Sequence, residues 1–141
     1  MRTLILAAAI AAIAASQADT VAAAGSWTAA FKGLTFVRLE LRTVEGRLGG
    51  TLVMGDIEVD KNGDIRQVKA PSRDPVVLFD VVQQGARVTF AWKDGTSTDR
   101  FELRMLDGMR AELRLIPTEE LRKELAADGL PLPKPIVLTR H

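Results

Sequence analysis

The chain has 141 residues, and its 19 Lys and Arg nearly balance its 18 Asp and Glu. That balance excludes the basic footprint of a nucleic-acid or anionic-membrane binder. The absence of Cys excludes disulfides and thiolate metal sites, so burial alone must hold a fold that this length limits to one domain of ordinary size.

Arg2, an apolar run over residues 4–15 and Ser16-Gln17-Ala18 have the three parts of a secretory signal peptide. Residues 1–18 are therefore assigned to a signal, with cleavage after Ala18 or, alternatively, after Ala24. The apolar run is shorter than the ~20 residues a membrane span needs, so no stable membrane anchor is expected after cleavage. Removing residues 1–18 takes away Arg2 and no acid, leaving 18 basic and 18 acidic residues. The product is placed in a bacterial periplasm or outside the cell. Residues 19–24 form a flexible leader and residues 25–141 a single domain.

From residue 27 onward the dominant pattern has a period of two. A first strand over 27–32 ends at Gly33. Val37, Leu39 and Leu41 then alternate with Arg38, Glu40 and Arg42, and Glu45-Gly46 turns the chain. Pairing Val44 with Arg47 places Leu39 opposite Leu52 and Val37 opposite Met54, so the register keeps apolar groups together. Gly49-Gly50 marks a bulge or bend in a strand that runs on through Ile57 and Val59. Asn62-Gly63 signals the next hairpin, and a weak fourth strand over 65–70 follows. After a loop fixed by Pro71 and Pro75, a nearly continuous apolar fifth strand over 76–82 turns at Gln84-Gly85. That turn pairs Val81 with Val88, Phe79 with Phe90 and Val77 with Trp92.

Residues 86–117 read as a three-stranded antiparallel meander. Val88, Phe90 and Trp92, then Phe101, Leu103 and Met105, then Met109, Ala111, Leu113 and Leu115 give each strand one apolar face, with Asp94-Gly95 and Asp107-Gly108 at the turns. Thr118, Glu119, Glu120 and Gly129 bracket one amphipathic helix whose Leu121 and Leu125 stripe needs a surface to lie on. Pro131, Pro133 and Pro135 hold an extended connector, and residues 136–140 form a short last strand. The expected fold is all-β: an antiparallel up-and-down β-barrel of about eight strands, with one C-terminal helix and a short closing strand. A β-sandwich is the alternative.

This order of elements resembles the lipocalins and the broader calycin barrels. Gly25-Ser26-Trp27 is similar to their Gly-x-Trp on the first strand, where Trp plugs the closed end. Thr98-Asp99-Arg100 is similar to the first two positions of their Thr-Asp-Tyr element, with Arg100 in place of Tyr. The stretch Pro135-Ile136-Val137-Leu138-Thr139-Arg140 is similar to the closing strand of lipocalin-like modules in secreted bacterial proteins. The resemblance implies an internal cavity for a small apolar ligand. An eight-stranded barrel is wide enough for one such ligand, or for its own side chains alone.

Other chemistry has little support. Asp60-Lys61-Asn62-Gly63-Asp64 imitates a calcium loop, but the sixth and twelfth positions hold Ile65 and Pro71, so a hairpin turn is expected. Asp56, Glu58 and Asp60 share one strand face and read as solvated, with a weak cation site as the other reading. The Arg-x-Glu-x-Arg pattern at 38–42, 100–104 and 110–114 reads as an outer surface of ion pairs. An anion-holding row inside the barrel is the other reading. His141 is the only histidine and the last residue, a poor base for Ser26, Ser72 or Ser97, and no catalytic site, cofactor or metal is expected. Trp27 and Trp92 read first as core. The expected function is non-enzymatic binding of a small apolar or amphipathic ligand inside the barrel, lined by Trp27, Val37, Leu39, Leu41, Leu52, Phe90, Phe101, Leu103 and Leu113. The alternative is a structural or interaction protein of the cell envelope with a packed, ligand-free core. The protein partner is open.

Overall fold

The structure, a computed structural model, describes residues 23–141. The signal-peptide assignment over 1–18 and the leader up to residue 22 lie outside the described residues. Eleven strands and one helix follow in chain order: β1 (Gly25–Phe31), β2 (Leu34–Val44), β3 (Arg47–Met54), β4 (Ile57–Val59), β5 (Ile65–Val68), β6 (Val76–Val77), β7 (Phe79–Gln84), β8 (Arg87–Asp94), β9 (Ser97–Met105), β10 (Arg110–Ile116), α1 (Glu119–Ala127) and β11 (Ile136–Arg140). Nine of the strands make one antiparallel sheet, ordered β6-β3-β2-β1-β11-β10-β9-β8-β7, and β4-β5 is a separate hairpin.

Local sequence explains most of this. Lys32-Gly33 and Glu45-Gly46 both have positive φ at the two turn positions (50° and 81°, 54° and 76°), the twist that tight hairpins require. The β2-β3 register is the expected one, with Val44 opposite Arg47, Leu39 opposite Leu52 and Val37 opposite Met54. In the meander Phe90 faces Phe101, Leu103 faces Leu113, and Arg104 and Arg114 lie opposite Glu112 and Glu102. The Arg-x-Glu-x-Arg rows therefore point outward, and Arg104 stands 3.6 Å from Glu112. Exposed pairs of this kind contribute at most about 1 kcal/mol each. At the β9-β10 turn Asp107 accepts from the amides of Met109 and Arg110 and from the Arg110 guanidinium. Those bonds hold its carboxyl below the usual range.

Three sequence expectations need correction. The strand expected to run from Arg47 through Val59 breaks at Gly55-Asp56, because its backbone meets residues 69–70 there: a Cβ on Gly55 would lie 1.6 Å from the Lys69 carbonyl oxygen. The turn after β7 is Gly85-Ala86, not Gln84-Gly85, since Gln84 pairs with Arg87. Gly85 has φ 61°, and a glycine at the first central position suits a two-residue hairpin. The slip of one residue puts Phe79 opposite Ala91, and Val82 and Val77 face solvent. Finally, the expected fifth strand is two strands on opposite edges of the sheet, and the expected fourth strand leaves it for the separate β4-β5 hairpin; the main sheet has nine strands, the short closing strand among them.

That split closes the barrel. Val76 and Val77 pair with Leu52 and Thr51 of β3; the Leu78 amide then donates to the Gly50 carbonyl at 2.9 Å; Phe79 onward pairs with β8. One continuous segment thus touches both edges of the sheet, making a nearly closed antiparallel barrel. A bulge between Phe79 and Val82, with Asp80 at φ 52°, allows the crossing. Arg100 on β9 reaches the Asp80 carboxylate at 3.2 Å from outside.

The inward-facing side chains form one core. Trp27, Val37, Leu39, Leu41, Leu52, Phe90, Phe101, Leu103 and Leu113 all belong to it, together with Phe36, Val88, Ala111 and Leu138. Phe90 and Phe101 stack with centroids 5.7 Å apart, and Trp92 meets Phe101 edge-on at 6.2 Å. The Trp27 indole N–H donates to the carbonyl of Ala23, itself fully buried, and the Arg140 guanidinium lies 4.6 Å from the Trp27 ring. α1 starts as expected, with Thr118 Oγ1 accepting from the Leu121 amide, and Gly129 ends it at φ 66°. None of its residues is buried, and Leu121 and Leu125 are half-covered.

Candidate functional site at the mouth of the barrel

The two ends of the barrel differ in their connections. At one end lie the short turns at 45–46, 85–86 and 107–109. At the other, beside the tight turns at 32–33 and 95–96, lie every long connection: the excursion from β3 to β6 that carries the β4-β5 hairpin, and the α1 segment between β10 and β11. We refer to this second end as the mouth. Long connections gathered at one end of a rigid sheet are where binding groups collect.

The mouth holds two adjoining cavities. The first, of about 220 Å³, is walled by Met54, Ile57, Trp92, Phe101, Leu113, Leu115, Pro133 and Ile136, with the carboxylates of Asp56, Asp94 and Asp99 and the Lys134 side chain at its border. The second, of about 340 Å³, lies between the end of β3 and the β8-β9 turn, under the loop of residues 69–76. Asp56, Asp74 and Asp94 there are matched by Lys69, Arg73 and Lys93. Met54, Gly55, Asp56, Trp92 and Asp94 border both. Trp92 is fixed in this position because its indole N–H donates to the Leu52 carbonyl at 3.0 Å. Its ring therefore cannot rotate away without orphaning a buried donor.

The β4-β5 hairpin and the proline connector cross over the mouth and grip each other. Gly63 O accepts from the Lys134 amide at 3.0 Å, and Lys134 Nζ sits 2.8 Å from Asp64 Oδ1. Asp60 Oδ1 accepts from the amides of Asn62 and Asp64, which shapes the tip as a turn. Among the described residues no group of three or more potential ligands is placed to hold a metal ion. Gly63 has φ 84°, and a Cβ there would lie 2.7 Å from the Leu132 carbonyl oxygen. Gly63→Ala is thus expected to cost about 1–2 kcal/mol and to speed amide exchange across the β4-β5 hairpin and at Lys134, leaving β8 to β10 protected. Unchanged exchange at Lys134 would show that the grip contributes nothing.

Asp99 is the perturbed acid of the mouth. It lies directly opposite Trp92 in the register, and burial, reinforced by repulsion from Asp94, raises its pKa above the ordinary Asp range. The sign of its effect on stability follows. Below the unfolded-state pKa both states are protonated and Asp99 has no pH-linked effect; as pH rises through the raised folded-state value, ionisation costs stability, and the cost persists at neutral pH. Asp99→Asn is therefore expected to raise Tm at neutral pH and to leave it unchanged at about pH 3. A lower Tm at neutral pH would contradict this account.

Of the nine residues expected to line a ligand site, Phe101 and Leu113 border the 220 Å³ cavity. Trp27, Val37, Leu39, Leu41, Leu52, Phe90 and Leu103 lie deeper, each at most 1% exposed, where they fill the barrel. The sequence offers Asp56, with Glu58 and Asp60, as a solvated face ahead of a weak cation site and Trp92 as core ahead of a ligand-stacking ring, and it gives Leu115 and Ile136 no role in a site. Of the residues weighed for catalysis, Ser26 donates to Glu40 Oε2 at 2.6 Å, the His141 ring is bonded to Thr28 Oγ1, and Ser72 borders the 340 Å³ cavity. No described helix is long and apolar enough to cross a membrane.

The class defined by this geometry is a nearly closed antiparallel β-barrel with one decorated end. Comparison of the chain with protein-family models, with curated proteins and with solved structures finds no match in any of the three.

Proposed function

We propose that this protein is an exported, non-catalytic binding protein of the lipocalin-like kind, which takes one small amphipathic ligand at the mouth of the barrel. The observation that carries the reading is the 220 Å³ cavity, with an apolar floor of Trp92, Phe101, Leu113, Leu115 and Ile136 and carboxylates at its border. Apolar walls with a few placed polar groups are the usual make-up of small-ligand sites. Kinship with lipocalins rests on the barrel closure, on Gly25-Ser26-Trp27 at the first strand and on the strand-helix-strand ending. Export rests on residues 1–18, and cleavage after Ala18 is favoured over cleavage after Ala24 because Ala23 supplies the carbonyl that caps Trp27.

Native mass spectrometry of protein purified from its own host tests the reading, together with N-terminal sequencing of that material. A retained small molecule, and tryptophan emission that changes when it is stripped, are expected, since Trp92 borders the cavity. A bare polypeptide mass with emission unmoved by any apolar additive would favour the second reading, an envelope protein with a packed interior. The depth and full burial of seven of the nine expected lining residues support that alternative.

A further inference from the structure

We infer that the ligand of the mouth cavity is a cationic amphiphile, an aromatic or short aliphatic body carrying a protonated amine. This inference rests on the binding reading above and gives it a substrate class. Some of the charges at the cavity are already engaged. Asp94 is paired with Arg73, and Lys134 Nζ is held by Asp64 at the tip of the β4-β5 hairpin. Lys93, next to the cavity along β8, turns its ammonium to the Phe79 ring, 5.9 Å from the centroid. Asp56 and Asp99 remain, and neither has an ion-pair partner among the described residues.

The two carboxylates border an apolar cavity whose wall includes the Trp92 and Phe101 rings. An ammonium entering there lies among the acidic residues and beside two aromatic rings, and aromatic rings attract cations through their quadrupole. An anion would meet two like charges in a partly desolvated site, and a neutral molecule would leave the carboxylates uncompensated. The adjoining 340 Å³ cavity, with three acids and three bases at its border, lacks this bias. The cation therefore belongs to the 220 Å³ compartment, on the Asp99 side of Trp92.

Three probes of one shape separate charge from size: naphthylmethylammonium, naphthylmethanol and naphthoate, titrated into the full mature protein by calorimetry. The ammonium is expected to bind about tenfold more tightly than the alcohol, with naphthoate weakest. Asp99→Asn should bring the ammonium-to-alcohol ratio close to one, whereas Glu124→Gln on α1 should leave it unchanged. Tm of each variant shows that it is folded. Equal affinity for ammonium and alcohol in the parent protein overturns the charge assignment and leaves the binding reading standing. Tightest binding of naphthoate overturns the assignment too. If none of the three binds, the mouth is not a site for ligands of this shape and both readings fall.

Discussion

Gly50→Ala is expected to cost about 3 kcal/mol, a large share of the stability of a domain this size. Gly50 faces Leu41 across the β2-β3 ladder, and a Cβ there would lie 1.8 Å from the Glu40 carbonyl oxygen, an atom fixed in the sheet. The backbone must therefore move. The Gly50 carbonyl is also the acceptor for Leu78, the residue at which the chain passes from one edge of the sheet to the other. Displacing β3 thus disturbs a hairpin and the barrel seam together. Gly49→Ala is the matched control, because nothing lies within 4 Å of a Cβ built there. Equilibrium urea unfolding of both variants decides the matter, and a Gly50→Ala midpoint equal to that of Gly49→Ala would remove the seam from the account of stability.

Trp27→Ala should be comparably severe, at about 3–5 kcal/mol for emptying the site of a large buried aromatic. Trp27 is fully buried in the barrel, its N–H is satisfied by Ala23, and Arg140 covers its ring. Trp27→Phe keeps most of the apolar volume and gives up the hydrogen bond, so it should cost less, on the order of 1–2 kcal/mol. The phenylalanine variant has a second use, since Trp92 becomes its single tryptophan and reports on the mouth alone. Thermal unfolding by far-UV circular dichroism gives the comparison. Equal losses for the two substitutions would mean that the hydrogen bond, and not the ring volume, carries the effect.

The hairpins were legible because their information is local. Alternation in Val37 to Leu41 and in Phe101 to Leu103 sets the buried face, and turn glycines with positive φ set the register. Closure was not legible. Val76 to Val82 reads as one apolar strand, and only the three-dimensional sheet shows that its halves serve opposite edges. Position matters at Gly85 too: the dipeptide Gln84-Gly85 looks like a turn, yet the glycine is the first turn residue and not the second, which moves every later partner by one.

Part of the mouth was readable from parity. Phe101 and Leu103 face inward, so Asp99, two residues earlier on the same strand, shares their face; Asp94 stands in the same relation to Trp92 and Phe90. A carboxylate at an inward position near a strand end marks where an interior opens to water, because a fully dry interior would not hold it. Asp56 carried no such signal. It reaches the mouth only because the chain leaves the sheet at Gly55, a consequence of close approach to Lys69.

The gathering of every long connection at the mouth gives the molecule two unequal tolerances for change in length. One added residue at 45–46 or 85–86 would shift a ladder by one and turn apolar side chains outward. The spans over 69–75 and 128–135 lie outside every strand, and lengthening them costs little chain entropy. New shapes of pocket are therefore accessible through insertions at one rim, with the wall beneath left as it is.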